Sequence, residues 1–225
     1  MTKVLAGITT SVDGYITGPD DGPGKGLGES GERLHYWVFG GPWTYDAEPK
    51  GEPTGEDAAW LAEAISRVGA VVGGRRTYEA AGHWGDENPW GLPFFIVTHR
   101  PEEEPEGGAF TFVSGVEEAV ARAEEAAGGK DVHVMGGADV IRQALEAGLV
   151  DELTIIIAPV VLGGGKRLFE GLMFASAPAS VPASTASKPI WSISSATVRF
   201  ACGTAIVAQP APKDRVERLD DARTR

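Results

Sequence analysis

The sequence predicts an α/β fold, a mixed but mostly parallel sheet flanked by helices, and three observations predict it. From residue 56 onward, short apolar runs alternate with amphipathic stretches of helix length, the pattern left by βαβ crossovers. Several of those runs end in glycine or in a small polar cluster just before the next element. The chain has 225 residues, 42% of them hydrophobic, which suits one sizeable core and one domain with a tail.

The elements follow in order. Val4 to Thr10 reads as a buried strand, followed by the turn-rich Ser11-Val12-Asp13-Gly14-Tyr15. Pro19 to Gly55 is dominated by Gly, Pro, Asp and Glu and interrupted by Tyr36, Trp37, Phe39, Trp43 and Tyr45. A long aromatic loop inside a domain is expected to form a lid or a pocket wall. Glu56 to Val68 reads as an amphipathic helix with Trp60, Leu61, Ala64, Ile65 and Val68 on its apolar side. Ala70 to Gly74 is a strand, Thr77 to Ala81 opens a short helix, and Pro93 to Thr98 and Phe110 to Ser114 are strands. Val116 to Ala127 is a helix, Asp131 to Met135 a strand, and Ala138 to Ala147 a helix that Gly148 is placed to end. Val150 to Leu162 reads as one long apolar strand.

The tail differs. Residues 173–189 form an Ala/Ser/Pro-rich insertion or linker, so the main domain is expected to run from 1 to 172. Ile190 to Phe200 and Thr204 to Ala208 read as the two strands of a terminal hairpin over 190–208, displaced or poorly packed behind the insertion. Residues 209–225 are charged and expected to be disordered.

Composition removes several function classes. A single cysteine, Cys202, rules out an intramolecular disulfide and any thiolate metal cluster, and four scattered histidines do not replace one, so no metal is expected. With 20 basic against 32 acidic side chains, a formal charge of −12 disfavours nucleic acid as a partner. No apolar run reaches bilayer length and Met1 to Leu5 has no features of a secretory signal, so no membrane partner and a cytoplasmic location are expected. An acidic protein that binds a phosphorylated ligand must gather its few cations at the phosphates, which directs attention to arginine clusters.

Three clusters qualify, each at a strand end, where open α/β sheets bind ligands. In Gly73-Gly74-Arg75-Arg76-Thr77-Tyr78-Glu79, glycines permit close approach, two guanidiniums can grip phosphate oxygens, and a hydroxyl can cap the helix. Taken alone it reads equally as a turn with surface arginines. Ile96-Val97-Thr98-His99-Arg100 suits an adenosine 2′-phosphate, and alone it also reads as a polar strand end beside the acidic loop that follows. Met135-Gly136-Gly137-Ala138-Asp139 opens a helix as a dinucleotide loop would, without the G-x-G-x-x-G fingerprint. His83, beside Trp84, reads as a packed or surface histidine.

Together with Ser11-Val12-Asp13-Gly14 and the run from Asp151-Glu152-Leu153 through Ala158-Pro159 to Gly163-Gly164-Gly165, these clusters resemble the dihydrofolate-reductase-like superfamily. The resemblance is to the reductase domain of riboflavin biosynthesis and covers Lys3 to about Leu172. It implies a dihydrofolate-reductase-like sheet and NADPH as cofactor. Arg75, Arg76 and Thr77, following Gly74, would hold phosphates, and Thr98, His99 and Arg100 would surround the adenosine end. Gly136, Gly137, Ala138 and Asp139 would cradle the pyrophosphate, and Ala6 and Ile16 would touch the nicotinamide. Asp13 is the expected catalytic residue, ordering the substrate or the nicotinamide ribose, with capping of its own turn as the alternative; Asp13, Glu79 and bound water are the candidate proton donors.

The implied reaction is hydride transfer to a small heterocyclic, carbonyl or imine substrate, resembling reduction of 5-amino-6-(5-phosphoribosylamino)uracil. The resemblance includes no deaminase half, which points to a stand-alone reductase, and the aromatic stretch lacks a basic cluster for a ribose phosphate. A pterin- or dihydrofolate-type reductase, an inactive NADPH-binding relative and a flavin or nucleotide module remain open. The apolar terminal segment is expected to pair two copies into a homodimer.

Overall fold

Alternation along the first strand decides which way the sheet faces. In β1 (Val4–Ser11), Val4 and Ala6 turn into the core while Leu5, Gly7 and Thr9 point to the opposite face. The computed structural model describes residues 2–47, 51–170 and 195–200. After β1 come α1 (Gly55–Arg67), β2 (Val68–Gly74), α2 (Arg75–Ala80), β3 (Phe94–Val97) and β4 (Thr111–Val113). These are followed by α3 (Val116–Ala126), β5 (Asp131–Met135), α4 (Ala138–Glu146), β6 (Glu152–Ala158) and β7 (Ser195–Phe200).

The described strands form one sheet in the order β4-β3-β2-β5-β1-β6-β7, and each pairing among them is parallel. The chain leaves central β1 for β2, steps outward to β3 and β4, returns to β5 between β2 and β1, and crosses to β6 on the far side. All carboxyl ends therefore lie along one edge, the edge at which such sheets bind ligands.

One face carries the main core. Ala6, Val72, Val132 and Val134 pack there against Ala119, Val120 and Ala123 of α3 and Ile141, Ala144 and Leu145 of α4, all buried. Gly148, at φ +66°, ends α4 in the left-handed turn that glycine adopts without a Cβ clash, its N–H bonding the carbonyl of Leu145 at 3.1 Å. On the opposite face an aromatic cluster covers the β2–β4 side: Tyr78, Phe94, Phe110 and Phe112, with Trp84 and Trp90 against them. His83 stacks on Tyr78, ring centroids 4.5 Å apart.

Several sequence expectations are corrected. β6 stops at Ala158 rather than Leu162, because Pro159 has no N–H to give the ladder. α2 begins at Arg75 rather than Thr77; Gly74 is its N-cap residue, so Thr77 is inside the helix and caps nothing. Helix α1 forms, but its apolar side does not close onto the core: Trp60 and Leu61 pack beside Trp37 and Ile156, Ile65 is 53% exposed, and Val68 belongs to β2. The terminal segment is not displaced over 195–200, since β7 pairs with β6 from Glu152↔Ser195 to Ile157↔Phe200. The other hairpin strand, 204–208, and the segments 173–189 and 209–225 lie outside the described residues. No helix among the described residues is long and apolar enough to cross a membrane.

Candidate active site

Because β3, β2 and β5 are adjacent and parallel, their carboxyl ends bring the three clusters together on one groove. Gly74 to Thr77, Thr98 to Arg100 and Gly136 to Asp139 all line it, as do Ala6 and Ile16. The groove measures about 1620 Å³, above the usual ~300–1,000 Å³ of a pocket for one small ligand. There is room for a dinucleotide and a second molecule.

The glycines matter where backbone meets backbone. Gly136 and Gly137 adopt φ +61° and +77°, which few side chains tolerate, and a Cβ on Gly137 would stand 2.8 Å from Thr77 Oγ1. A Cβ on Gly74 would stand 2.9 Å from Val140 Cγ2, so this glycine lets the first turn of α4 seat against the end of β2. The start of α4, whose unpaired N–H groups attract anions, thus lies beside the Thr77 hydroxyl.

The cations around this turn are held by carboxylates. Arg75 is one-fifth exposed and lies over the Phe112 ring at 5.0 Å; its Nε donates to Glu79 Oε1 at 2.7 Å and its Nη2 to Glu103 Oε2 at 3.1 Å. Its Nη1 is buried without a hydrogen-bond acceptor among the described residues. Arg100 Nη1 donates to the other oxygen of Glu103 at 2.9 Å, and its backbone N–H bonds Thr98 Oγ1 at 3.1 Å. Thr98 is buried, whereas His99 is exposed. Arg76 is mostly exposed, 3.7 Å from Asp139 Oδ2. Asp139 also accepts from Arg142 Nη2, so its carboxylate holds two guanidiniums at the mouth of the α4 turn.

Asp13 has a different place from its neighbours in the motif. Its Oδ1 accepts the N–H of Leu162 at 3.1 Å and its Oδ2 that of Gly163 at 2.7 Å, pinning the glycine triplet to the turn after β1. Arg167 completes the clamp by donating to the Asp13 carbonyl at 2.9 Å and stacking over Tyr15 at 4.1 Å. Burial raises the Asp13 pKa, but hydrogen bonds from Ser11, Gly163 and Leu162 together outweigh it and hold the carboxyl below its ordinary value. Asp13 is not among the described residues that line the groove.

The other part of the groove is aromatic. Trp37 is buried, donates Nε1–H to Thr9 Oγ1 at 3.3 Å and lies 5.8 Å from Trp60 of α1. Phe39, Trp43 and Tyr45 continue that wall, so the loop expected to shape a pocket does so. On the sheet itself, a Cβ on Gly7 would stand 3.2 Å from His133 Cε1. Burial pushes His133 and His35 down to about 4, leaving both neutral at neutral pH. The cations on this side are engaged: Arg67 with Asp131 and Glu152, Lys166 with Asp21.

Sequence reasoning missed His133, Glu103 and Arg142. The alternation Val132-His133-Val134 was the available signal for His133, since it sends the imidazole to the face opposite the core. Glu103 and Arg142 gave no local sign, because their partners come from other elements.

Residues 2–194 match the family model of the RibD C-terminal domain. The chain belongs to that family. It is 30% identical over 116 residues to the uncharacterized protein YyaP of Bacillus subtilis (strain 168), a match spanning 47% of this chain and 61% of that protein. A crystal structure of a Shewanella sp. PV-4 protein assigned to riboflavin biosynthesis superposes with a TM-score of 0.52 at 25% identity, covering 74% of this chain and 82% of that one. A RibD C-terminal domain has the reductase-like fold that the glycine and arginine motifs indicated.

Proposed function

We propose that this RibD C-terminal domain is an NADPH-dependent reductase that transfers hydride to a small, planar, uncharged heterocycle bearing a carbonyl or imine. The observation carrying the proposal is the meeting of Gly74-Arg75-Arg76-Thr77, Thr98-His99-Arg100 and Gly136-Gly137-Ala138-Asp139 on one groove. The residues fit a nucleotide with a pyrophosphate and one further phosphate: the paired glycines leave a cradle that a Cβ would fill, and Arg75 Nη1 is buried and lacks an acceptor among the described residues.

In this reading Arg76, Thr77 and the Gly136-Gly137 turn at the start of α4 hold the pyrophosphate, with Asp139 steering Arg76 and Arg142 toward it. Arg75, Thr98 and Arg100 take the 2′-phosphate, and exposed His99 lies along the adenosine. Ala6 and Ile16 line the nicotinamide end. NADPH, when bound, supplies the hydride, and the chain supplies placement. Asp13 acts as a positioning residue through its clamp on Leu162 and Gly163. It is held ionised and is poorly suited to donate a proton, and Glu79 is engaged with Arg75, so the proton is assigned to solvent reaching the groove.

The family favours a substrate like the riboflavin-pathway ribosylaminopyrimidine. The substrate side of this groove favours a planar ring without a phosphate: its walls are Trp37, Trp60 and Phe39, and its two neutral histidines offer no charge to a phosphate. That observation also supports a pterin-type substrate. The test is a panel of pterins, quinones and ribosylaminopyrimidines, with and without a phosphate, followed by loss of NADPH absorbance. Turnover of an uncharged member above its phosphorylated counterpart supports the proposal; turnover of the phosphorylated ribosylaminopyrimidine alone contradicts the substrate assignment. We also propose a homodimer through β7, the last described strand on its side of the sheet. Light scattering that returns a monomer at working concentration contradicts it.

A further inference from the structure

We propose that Glu103 occupies the seat of the adenosine 2′-phosphate as a resident anion and thereby sets the preference between NADPH and NADH; this rests on the cofactor reading above. The seat is built from two clusters. Arg75 comes from the end of β2 and Arg100 from the end of β3, and one carboxylate spans them, Oε2 on Arg75 Nη2 at 3.1 Å and Oε1 on Arg100 Nη1 at 2.9 Å. A planar anion with one oxygen for each guanidinium presents the same face as two oxygens of a phosphate monoester.

The carboxylate is held there by its turn. Pro101 opens a short 3-10 turn over Pro101–Glu103, the Arg100 N–H is fixed on Thr98 Oγ1, and the Glu103 N–H bonds the Arg100 carbonyl at 3.2 Å. On the far side Glu104 accepts the Phe112 N–H at 2.6 Å, which ties the turn to β4. The Glu103 backbone is therefore fixed beside the two guanidiniums, whereas exposed Glu102 lies in the same turn outside these contacts.

The fit is incomplete, and that indicates a displaceable occupant. Glu103 satisfies one nitrogen of Arg75 and leaves buried Nη1 without an acceptor among the described residues. A phosphate has a third oxygen and nearly a second charge to offer that nitrogen. Glu103 and Arg100 are 39% and 57% exposed, so their ion pair is screened and easily broken. NADPH must displace Glu103 to bind, whereas NADH leaves it in place. Glu103 thus weakens NADPH selectively and narrows the gap between the two cofactors.

The experiment is calorimetric titration of the full chain with NADPH, NADH, 2′,5′-ADP and 5′-AMP, in wild type, Glu103→Gln and Glu102→Gln. Glu103→Gln is expected to tighten NADPH and 2′,5′-ADP by about fivefold while NADH and 5′-AMP change by less than about twofold, with Glu102→Gln close to wild type. Equal tightening by both variants would mean that only the general charge of the loop acts, and it overturns the assignment. Unchanged or weaker NADPH binding in Glu103→Gln overturns it as well, with the cofactor reading intact. Wild type binding neither dinucleotide overturns the cofactor reading and this inference with it.

Discussion

Thr77 and Gly137 meet so closely that no side chain fits between them: a Cβ on Gly137 would stand 2.8 Å from Thr77 Oγ1. The contact joins the helix after β2 to the turn after β5, at the point where the proposed pyrophosphate binds. Gly137→Ala is expected to weaken NADPH and NADH alike, by about tenfold or more, because the methyl group pushes the hydroxyl aside and the turn, at φ +77°, must shift to admit a Cβ. Titration with both nucleotides checks it, and a loss confined to NADPH would mean that the turn does not serve the shared pyrophosphate.

Arg100 behaves differently, because it serves only the 2′-phosphate in this account. Arg100→Ala is expected to weaken NADPH by about ten- to a hundredfold, the range of one charge-assisted hydrogen bond at ~1.5–3 kcal/mol, and to leave NADH nearly unchanged. Equal weakening of both would remove Arg100 from that role.

Asp13 gives a prediction about positioning. Asp13→Ala leaves the N–H groups of Leu162 and Gly163 without their acceptor. Stability is expected to fall by about 1–3 kcal/mol and kcat to drop, with NADPH affinity close to wild type. Asp13→Asn keeps one oxygen and should recover part of both. Full activity in Asp13→Ala would show that the clamp has no bearing on turnover.

The two half-buried histidines on the groove set an acid limit. Their folded pKa values, about 4, lie below the ordinary 6.5, so below pH 6.5 the unfolded chain binds protons that the folded chain refuses. Stability should decline as pH falls from 6.5 toward 4, and His133→Gln should flatten that decline. Glu152 adds to it lower down: Lys3 and Arg67 hold its carboxyl below the usual value, so its contribution is present above that value and is lost as pH falls through the folded one. Denaturant melts at several pH values, compared between wild type and His133→Gln, read the first effect.

Much of the fold was legible because short apolar runs alternate with amphipathic stretches of helix length, as Ala70 to Gly74 and Val116 to Ala127 illustrate, and because Gly148 ends α4. The meeting of the three glycine- and arginine-marked clusters was legible for a related reason: each follows a strand, and parallel β3, β2 and β5 end along one edge. Contacts between remote elements were not legible. Nothing local to Glu103 announces Arg75, 28 residues earlier in the chain. Asp13 is a second such case: its bonds to the Leu162 and Gly163 N–H groups, 149 and 150 residues later in the chain, have no local sign. Helix α1 reads as a core helix from its apolar spacing, but that face borders an open groove, which periodicity cannot distinguish from a closed core.

The central claim is that one groove holds a nucleotide carrying an extra phosphate. Calorimetric titration of wild-type protein with NADPH tests it most directly. Saturable one-to-one binding in the micromolar range, weakened in both Gly137→Ala and Arg100→Ala, is the expected result; no heat of binding with NADPH or NADH at millimolar concentration would contradict it.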